Sequence, residues 1–151
     1  MWFNPFIPRR ILIKREKDYH THYIGQTSDG RQFFGYEAFV FPNGFHTTGD
    51  WTKERREYVV LFTFDKDGNL LTQTHCYLGT TAETNDFAIK NKLEEFVNEI
   101  GPVKYGDIKI KPFKTNIDGH TFGLVSKIIT VDLEPNSSIS FHWPWNGEYD
   151  T

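Results

Sequence analysis

The chain has 151 residues, a formal net charge of −3 and an aromatic content of 17%. This length predicts one domain, residues 1–151, which would bury about 70% of the surface of the unfolded chain. The acidic balance argues against nucleic acid as the main partner, because phosphate contacts need a basic face. The aromatic content favours a β-rich fold, since rings pack well on half-buried pleated surfaces.

Cysteine content and hydropathy predict the cellular location of the protein. The lone Cys76 excludes an internal disulfide, and the first residues lack the basic-then-apolar order of a signal peptide. No apolar run approaches the ~20 residues that a membrane helix needs. We therefore expect a cytoplasmic protein with no membrane partner.

The segment 1–9 holds two prolines, which predict an extended path over the surface. A first short strand is predicted within residues 10–15. The apolar residues of the segment are expected to pack onto the domain: Trp2, Phe3, Phe6 and Ile7.

Asp-Gly turns recur at residues 27–31, 65–69 and 116–120, each flanked by strand-like residues. This pattern is typical of β-hairpins and predicts an antiparallel sheet. Three-residue loops at these turns would fix the register of each hairpin. In the first hairpin they would pair Ile24 with Phe34 and His22 with Tyr36.

The hairpin of residues 58–78 is predicted to form the centre of the sheet. Residues 58–64 are apolar on both faces, which indicates a strand covered from both sides. Gly68 suits a left-handed bulge in the turn, because glycine takes a positive φ without a Cβ clash. The resulting pairs would be Phe64 with Leu70, Phe62 with Thr72, Val60 with Thr74 and Tyr58 with Cys76.

A long link, residues 42–57, joins the first two hairpins. Such a length favours a short helical turn, which Asp50 is predicted to cap. Trp51 lies beside the charged run 53–57 and is poorly placed to reach the core. We expect Trp51 to be a contact residue.

The one predicted helix spans about residues 85–100. Thr84 or Asn85 would cap its start, and Gly101 with Pro102 would end it. Its apolar residues share one face, which is predicted to cover the sheet: Ile89, Leu93, Phe96, Val97 and Ile100.

Strand-like patterns return after the helix. Residues 108–112 alternate isoleucine with lysine and end in proline, which is typical of an edge strand. One long strand is predicted over residues 124–133, and the four alternating apolar residues of 139–145 are predicted to face the core. The elements together predict an α+β fold, in which a twisted, curved antiparallel sheet of about six to seven strands packs against one main helix.

The histidines are the first candidates for chemistry. His20 and His22 stand two apart, so on a strand they would point the same way. A metal site would need a third ligand from the remaining candidates: His46, His75, Cys76, His120 and His142. No metal-binding motif stands among these residues, so we expect neither a metal nor another cofactor.

Glu37 interrupts the otherwise apolar run 33–41, where an unpaired buried carboxylate would be costly. One interpretation places it on the solvent face or beside an arginine. The other makes it an acid with a raised pKa at the bottom of a pocket.

Two function classes follow. The favoured one is a non-catalytic binding module that contacts another protein or a second copy of the chain, because aromatic and arginine side chains dominate interface energetics. Its candidate residues are Trp51, Arg55, Arg56, Trp143, Trp145 and Tyr149, although the last three could instead cap the core. The alternative is a small-molecule-binding or enzymatic pocket on the concave sheet face. Its candidates are His20, His22, Tyr36 and Glu37, and a pocket that encloses two or more titratable residues would favour this alternative.

Overall fold

The computed structural model describes residues 6–17, 20–45 and 49–151. Within these residues the one α-helix, α1, spans Asp86–Glu99, and a 3₁₀ turn spans Trp51–Lys53. The strands are β1 (Ile11–Ile13), β2 (Tyr23–Thr27), β3 (Gln32–Val40), β4 (Pro42–Phe45), β5 (Arg56–Phe64), β6 (Leu70–Thr80), β7 (Val103–Tyr105), β8 (Ile108–Ile110), β9 (Phe113–Ile117), β10 (His120–Ser126), β11 (Val131–Glu134), β12 (Ser140–Phe141) and β13 (Tyr149–Asp150). The predicted α+β fold with antiparallel pairing and one main helix is confirmed.

All of these strands except β4 divide among three sheets, where the sequence suggested one. The main sheet has the order β6-β5-β3-β2-β7, and a second five-stranded sheet has the order β13-β12-β11-β10-β9. Among the residues that the structure describes, β1 and β8 pair only with each other, which fits the edge-strand pattern of residues 108–112.

The main sheet separates two apolar cores, because successive side chains of a strand point to opposite faces. Phe34 and Phe62 belong to the larger core, which the main sheet forms with the second sheet and the β1–β8 pair. Phe33, Val59 and Leu61 belong to the smaller core under α1. Strands β3 and β5 are therefore covered on both sides, as the apolar run 58–64 predicted.

The hairpin β5–β6 forms as predicted, but it is not the centre of the sheet. Within the described residues β6 pairs with β5 alone and is an edge strand. The predicted pair of Phe64 with Leu70 is confirmed, whereas the later predicted pairs are wrong by one residue. A β-bulge leaves Leu71 as an extra residue and shifts the register. The observed pairs include Thr63 with Thr72, Phe62 with Gln73, Val60 with His75 and Tyr58 with Tyr77.

Two of the three Asp-Gly turns have the predicted three-residue loop. In the turn 65–69, Asp65 N donates to Asn69 O at 2.9 Å and Gly68 takes a φ of 90°. The turn 116–120 is shorter, because Ile117 pairs directly with His120 around Asp118 and Gly119. In the first hairpin Ile24 pairs with Phe34 as predicted, whereas β2 begins after His22.

The helix α1 closely follows its predicted bounds. The Asn85 side chain caps it by accepting a hydrogen bond from Ala88 N at 2.9 Å. The fifth residue of the predicted face, Ile100, is partly buried. The other four are buried: Ile89, Leu93, Phe96 and Val97. This face covers β3 and β5, so the helix prediction is confirmed.

The single strand predicted over residues 124–133 is wrong. Strand β10 ends at Ser126 and β11 begins at Val131, and Lys127 N donates to Thr130 O at 2.7 Å across the turn between them. Ile128 and Ile129 lie in this turn and are 82% and 61% exposed. Because both residues are apolar, the sequence pattern continued through the turn as if it were one strand. The prediction that 139–145 faces the core is right for Ile139 and Phe141 but wrong for Trp143, which is 78% exposed.

The first residues and the link are partly described. Ile7 is buried and Phe6 is exposed, while Trp2, Phe3 and His46 lie outside the described residues. Asp50 caps the 3₁₀ turn, accepting a hydrogen bond from Thr52 N at 3.0 Å, as predicted. In the described parts of the chain, α1 is too short and too polar to cross a bilayer, and no other helix could do so.

Candidate functional site

A cleft opens beside the start of α1. It is a concavity of about 450 Å³, a volume within the range of small-molecule pockets, roughly 300–1,000 Å³. Its walls come from β3, from α1 and from the segment 20–23. The lining residues are His20, His22, Tyr23, Gly35, Tyr36, Glu37, Asp86, Lys90 and Leu93. The structure thus brings together all four residues that the sequence suggested for a pocket.

A second concavity of about 240 Å³ adjoins the first and shares His20, Glu37 and Asp86 with it. It extends the cleft towards the start of β5 and the segment 135–138. We refer to the two concavities together as the α1 cleft. Glu37 therefore stands where its two halves meet.

Glu37 lies on the side of β3 that faces α1, opposite Val59 on β5. The helix begins too late to cover this position, so the carboxylate faces the cleft and reaches solvent through it. It forms no hydrogen bond or ion pair with any described residue. Partial burial raises its pKa first, and the charges of Asp86 and Glu57 raise it further, while Arg55 opposes them.

The helix supplies Asp86, Lys90 and Leu93, which the sequence prediction did not assign to a site. Their spacing of four and three residues places them on one side of α1. That spacing, next to the cap at Asn85, was a signal that could have identified this wall. Lys90 forms no ion pair within the described residues.

The segment 20–23 is fixed by a buried hydroxyl between the two histidines. Thr21 donates to Lys14 O at 2.9 Å and accepts from Glu16 N at 2.9 Å. Burial lowers the pKa of His20, which favours the neutral form of its imidazole. The predicted common orientation of His20 and His22 on a strand does not apply, because both precede β2.

Tyr36 contributes little to the cleft. Its side chain points to the opposite face of β3, where its hydroxyl donates to Glu134 O at 2.9 Å and accepts from Gly123 N at 3.1 Å. The residue is 3% exposed and belongs to the larger core. Only its main chain can reach a ligand.

Arg55 and Glu57 form a fixed ion pair at the far end of the cleft. Arg55 Nη2 lies 2.7 Å from Glu57 Oε1, and Thr81 Oγ1 donates to the same oxygen at 2.7 Å. The guanidinium also lies over the rings of Phe39 and Trp51, at 4.2 and 5.0 Å from their centroids. Trp51 is 45% exposed and outside both cores. Trp51 and Arg55 are therefore in contact with each other, whereas Arg56 is exposed at the start of β5.

The aromatic residues near the end of the sequence divide between the core and the surface. Trp145 and Tyr149 pack against the larger core, while Trp143 is exposed. Trp143, Phe6 and Ile129 line a concavity of about 1,070 Å³. At its border His142 Nε2 lies 2.9 Å from Asp150 Oδ2.

Metal ligands and relatives are the remaining evidence. Among the described residues, no group of three or more His, Cys, Asp or Glu side chains is arranged to hold a metal ion. Cys76 is a free cysteine on β6. No protein-family model matches the chain, and neither a curated protein nor a solved structure is significantly similar to it.

Proposed function

We propose that the protein binds a small polar molecule in the α1 cleft, with Glu37 as the anchoring group. The observation that supports this most strongly is a carboxylate at the junction of two concavities that has no hydrogen-bond or ion-pair partner among the described residues. The sequence favoured a protein-binding module because no complete site could be assembled from it. A cleft that encloses His20, His22 and Glu37 favours the small-molecule alternative.

The position of Glu37 supports a ligand-binding role over a structural one. A carboxylate needs hydrogen-bond donors when water is displaced from it. No described residue donates a hydrogen bond to Glu37. Arg55 is near, but its guanidinium is already bound by Glu57 and Thr81. A ligand that fills the cleft would supply the missing donor.

The charges of the cleft indicate the chemical class of that donor. Asp86 and Glu57 place negative charge around Glu37, and each acts on it more strongly than the opposing charge of Arg55. The potential at Glu37 therefore favours a positively charged group, such as a protonated amine or a guanidinium. Lys90, on the opposite wall, can donate a hydrogen bond to an acceptor group of the same ligand.

The test is a binding screen against small amines and guanidinium compounds, with carboxylic acids of similar size for comparison. We expect members of the first group to raise the melting temperature of the wild type and to lose that effect in Glu37→Gln. Glu99→Gln is the matched control, because it removes the same charge at the far end of α1. At 1.5 Å per residue, Glu99 lies about 20 Å along the helix from Asp86, which lines the cleft. Amine binding that survives in Glu37→Gln would contradict the proposal.

A protein-binding surface around Trp143 is the second candidate function. Four large apolar side chains on and beside the concavity at Trp143 are more than half exposed: Phe6, Ile128, Ile129 and Trp143. Exposed apolar patches on a folded domain often mark a contact with another protein. Trp143→Ala should then weaken capture of that partner without changing the melting temperature, and unchanged capture would exclude this surface.

A further inference from the structure

We propose that the protein forms a two-fold symmetric dimer by antiparallel pairing of β6 with β6 of a second copy. The dimer would join the two main sheets into one continuous sheet of ten strands. This inference is independent of the α1 cleft, because it concerns the free edge of β6, and no residue of β6 lines the cleft.

The free edge of β6 is long, and its middle part is regular. It runs over 11 residues with β5 as its only neighbour in the described chain. Between the bulge at Leu71 and the irregularity before Thr80, six consecutive residues, 72–77, keep an unbroken register with β5. The main-chain groups on their outer side are available to another strand, and an edge of this kind is a template for strand pairing.

The β6 edge also lacks the charged residues that usually prevent pairing. Residues 70–80 contain no Lys, Arg, Asp or Glu, so two copies can approach without like charges facing each other. The other outer strands of the two five-stranded sheets differ in this respect. The strand β7 has three residues with a lysine among them, β9 has five residues with a lysine, and β13 has two with an aspartate.

The occupant that fits this edge is a second copy, because β6 complements itself. A two-fold axis at Thr74 places Thr72 opposite Cys76 of the second copy and Leu71 opposite Tyr77. Leu71 and Tyr77 are 51% and 44% exposed, and the pairing covers both. An axis at His75 would set the two imidazoles against each other and leave Leu71 opposite Gly79, so Thr74 is the better centre.

The first test measures the dimer dissociation constant by sedimentation or light scattering over a dilution series that starts at about 100 µM, where even a micromolar interface is occupied. The wild type should have twice the chain mass of 17.7 kDa. Thr74→Lys sets two lysines opposite each other and should weaken the dimer at least about tenfold. Thr121→Lys adds the same charge at an exposed position of β10 and should leave the dimer intact. A monomeric wild type, or a dimer equally stable in both variants, would overturn the proposal.

A second test does not depend on tolerance of a lysine in β6. Residues directly opposite across an antiparallel pair have Cα atoms about 4.5–5.5 Å apart, within the range that a disulfide spans. Thr74→Cys in a Cys76→Ser background should therefore form a covalent dimer under mild oxidation, whereas Thr121→Cys in that background should not. Failure of the first variant to crosslink, or equal crosslinking in both, would overturn the pairing at Thr74.

Discussion

Glu37 shows what can be learned at the scale of one residue. Its position in an apolar run identified it as unusual, and the structure places it in a cleft. The groups that shift its pKa, Asp86 and Glu57, come from α1 and β5. No local pattern connects those positions to Glu37, so its electrostatic surroundings could not be predicted from the sequence.

We expect Asp86→Asn to lower the pKa of Glu37, because Asp86 raises that pKa more than the other nearby carboxylate, Glu57, does. The pKa can be followed through the Glu37 carboxyl carbon in an NMR titration. Asp67→Asn, in the turn after β5, is a control that should leave the pKa unchanged. A wild-type Glu37 that titrates at the ordinary value of about 4.3 would contradict this account of the cleft.

The same shift has a consequence for stability. Because the folded-state pKa lies above the unfolded value, the folded protein binds the Glu37 proton more tightly. This contribution is complete below the unfolded pKa and is lost as the pH rises through the folded one. Glu37→Gln should therefore gain stability relative to the wild type across that interval, and the two should converge in acid.

At the scale of elements, the helix was predicted best and the sheet register worst. The helix has a repeating apolar face, a cap at Asn85 and a terminating Gly101, all of which are local signals. The register of β6 depends on a bulge of one residue, and residues 124–133 hide a turn whose side chains are apolar. These features are set by packing between distant elements, which local patterns do not report.

The helix face gives a direct test at this scale. Leu93 is 3% exposed and packs in the smaller core, so Leu93→Ala should destabilise the protein by about 2–5 kcal/mol. Phe87→Ala removes a larger side chain from the same helix, but Phe87 is 79% exposed and should cost less than about 1 kcal/mol. Chemical denaturation measures both, and similar losses in the two variants would show that the helix packs through a different face.

At the scale of the molecule, the α+β class could be predicted from the sequence, but the division of the strands could not. Asp-Gly turns and apolar runs identify antiparallel strands one hairpin at a time. They do not indicate that β9–β13 form a separate sheet across the larger core. The same limit applies to the α1 cleft, since its walls meet only when the helix is placed on the main sheet.

Tyr36 connects the two five-stranded sheets through its hydroxyl. From β3 of the main sheet, its hydroxyl accepts a hydrogen bond from Gly123 N in β10 and donates one to Glu134 O in β11. Both partners belong to the second sheet, and the tyrosine is buried. Burial raises its pKa far above the ordinary value, so it remains a neutral donor and acceptor.

Tyr36→Phe should destabilise the protein by about 1–3 kcal/mol, because it keeps the ring but leaves a buried N–H and a buried carbonyl without their partner. Denaturation measures the loss, and hydrogen exchange locates it, since the Gly123 amide should exchange faster than in the wild type. Tyr105→Phe is the control, as Tyr105 is 39% exposed and its hydroxyl has no hydrogen bond in the described chain. If Tyr36→Phe is as stable as Tyr105→Phe and the Gly123 amide stays protected, the Tyr36 hydroxyl does not help to hold the two sheets together.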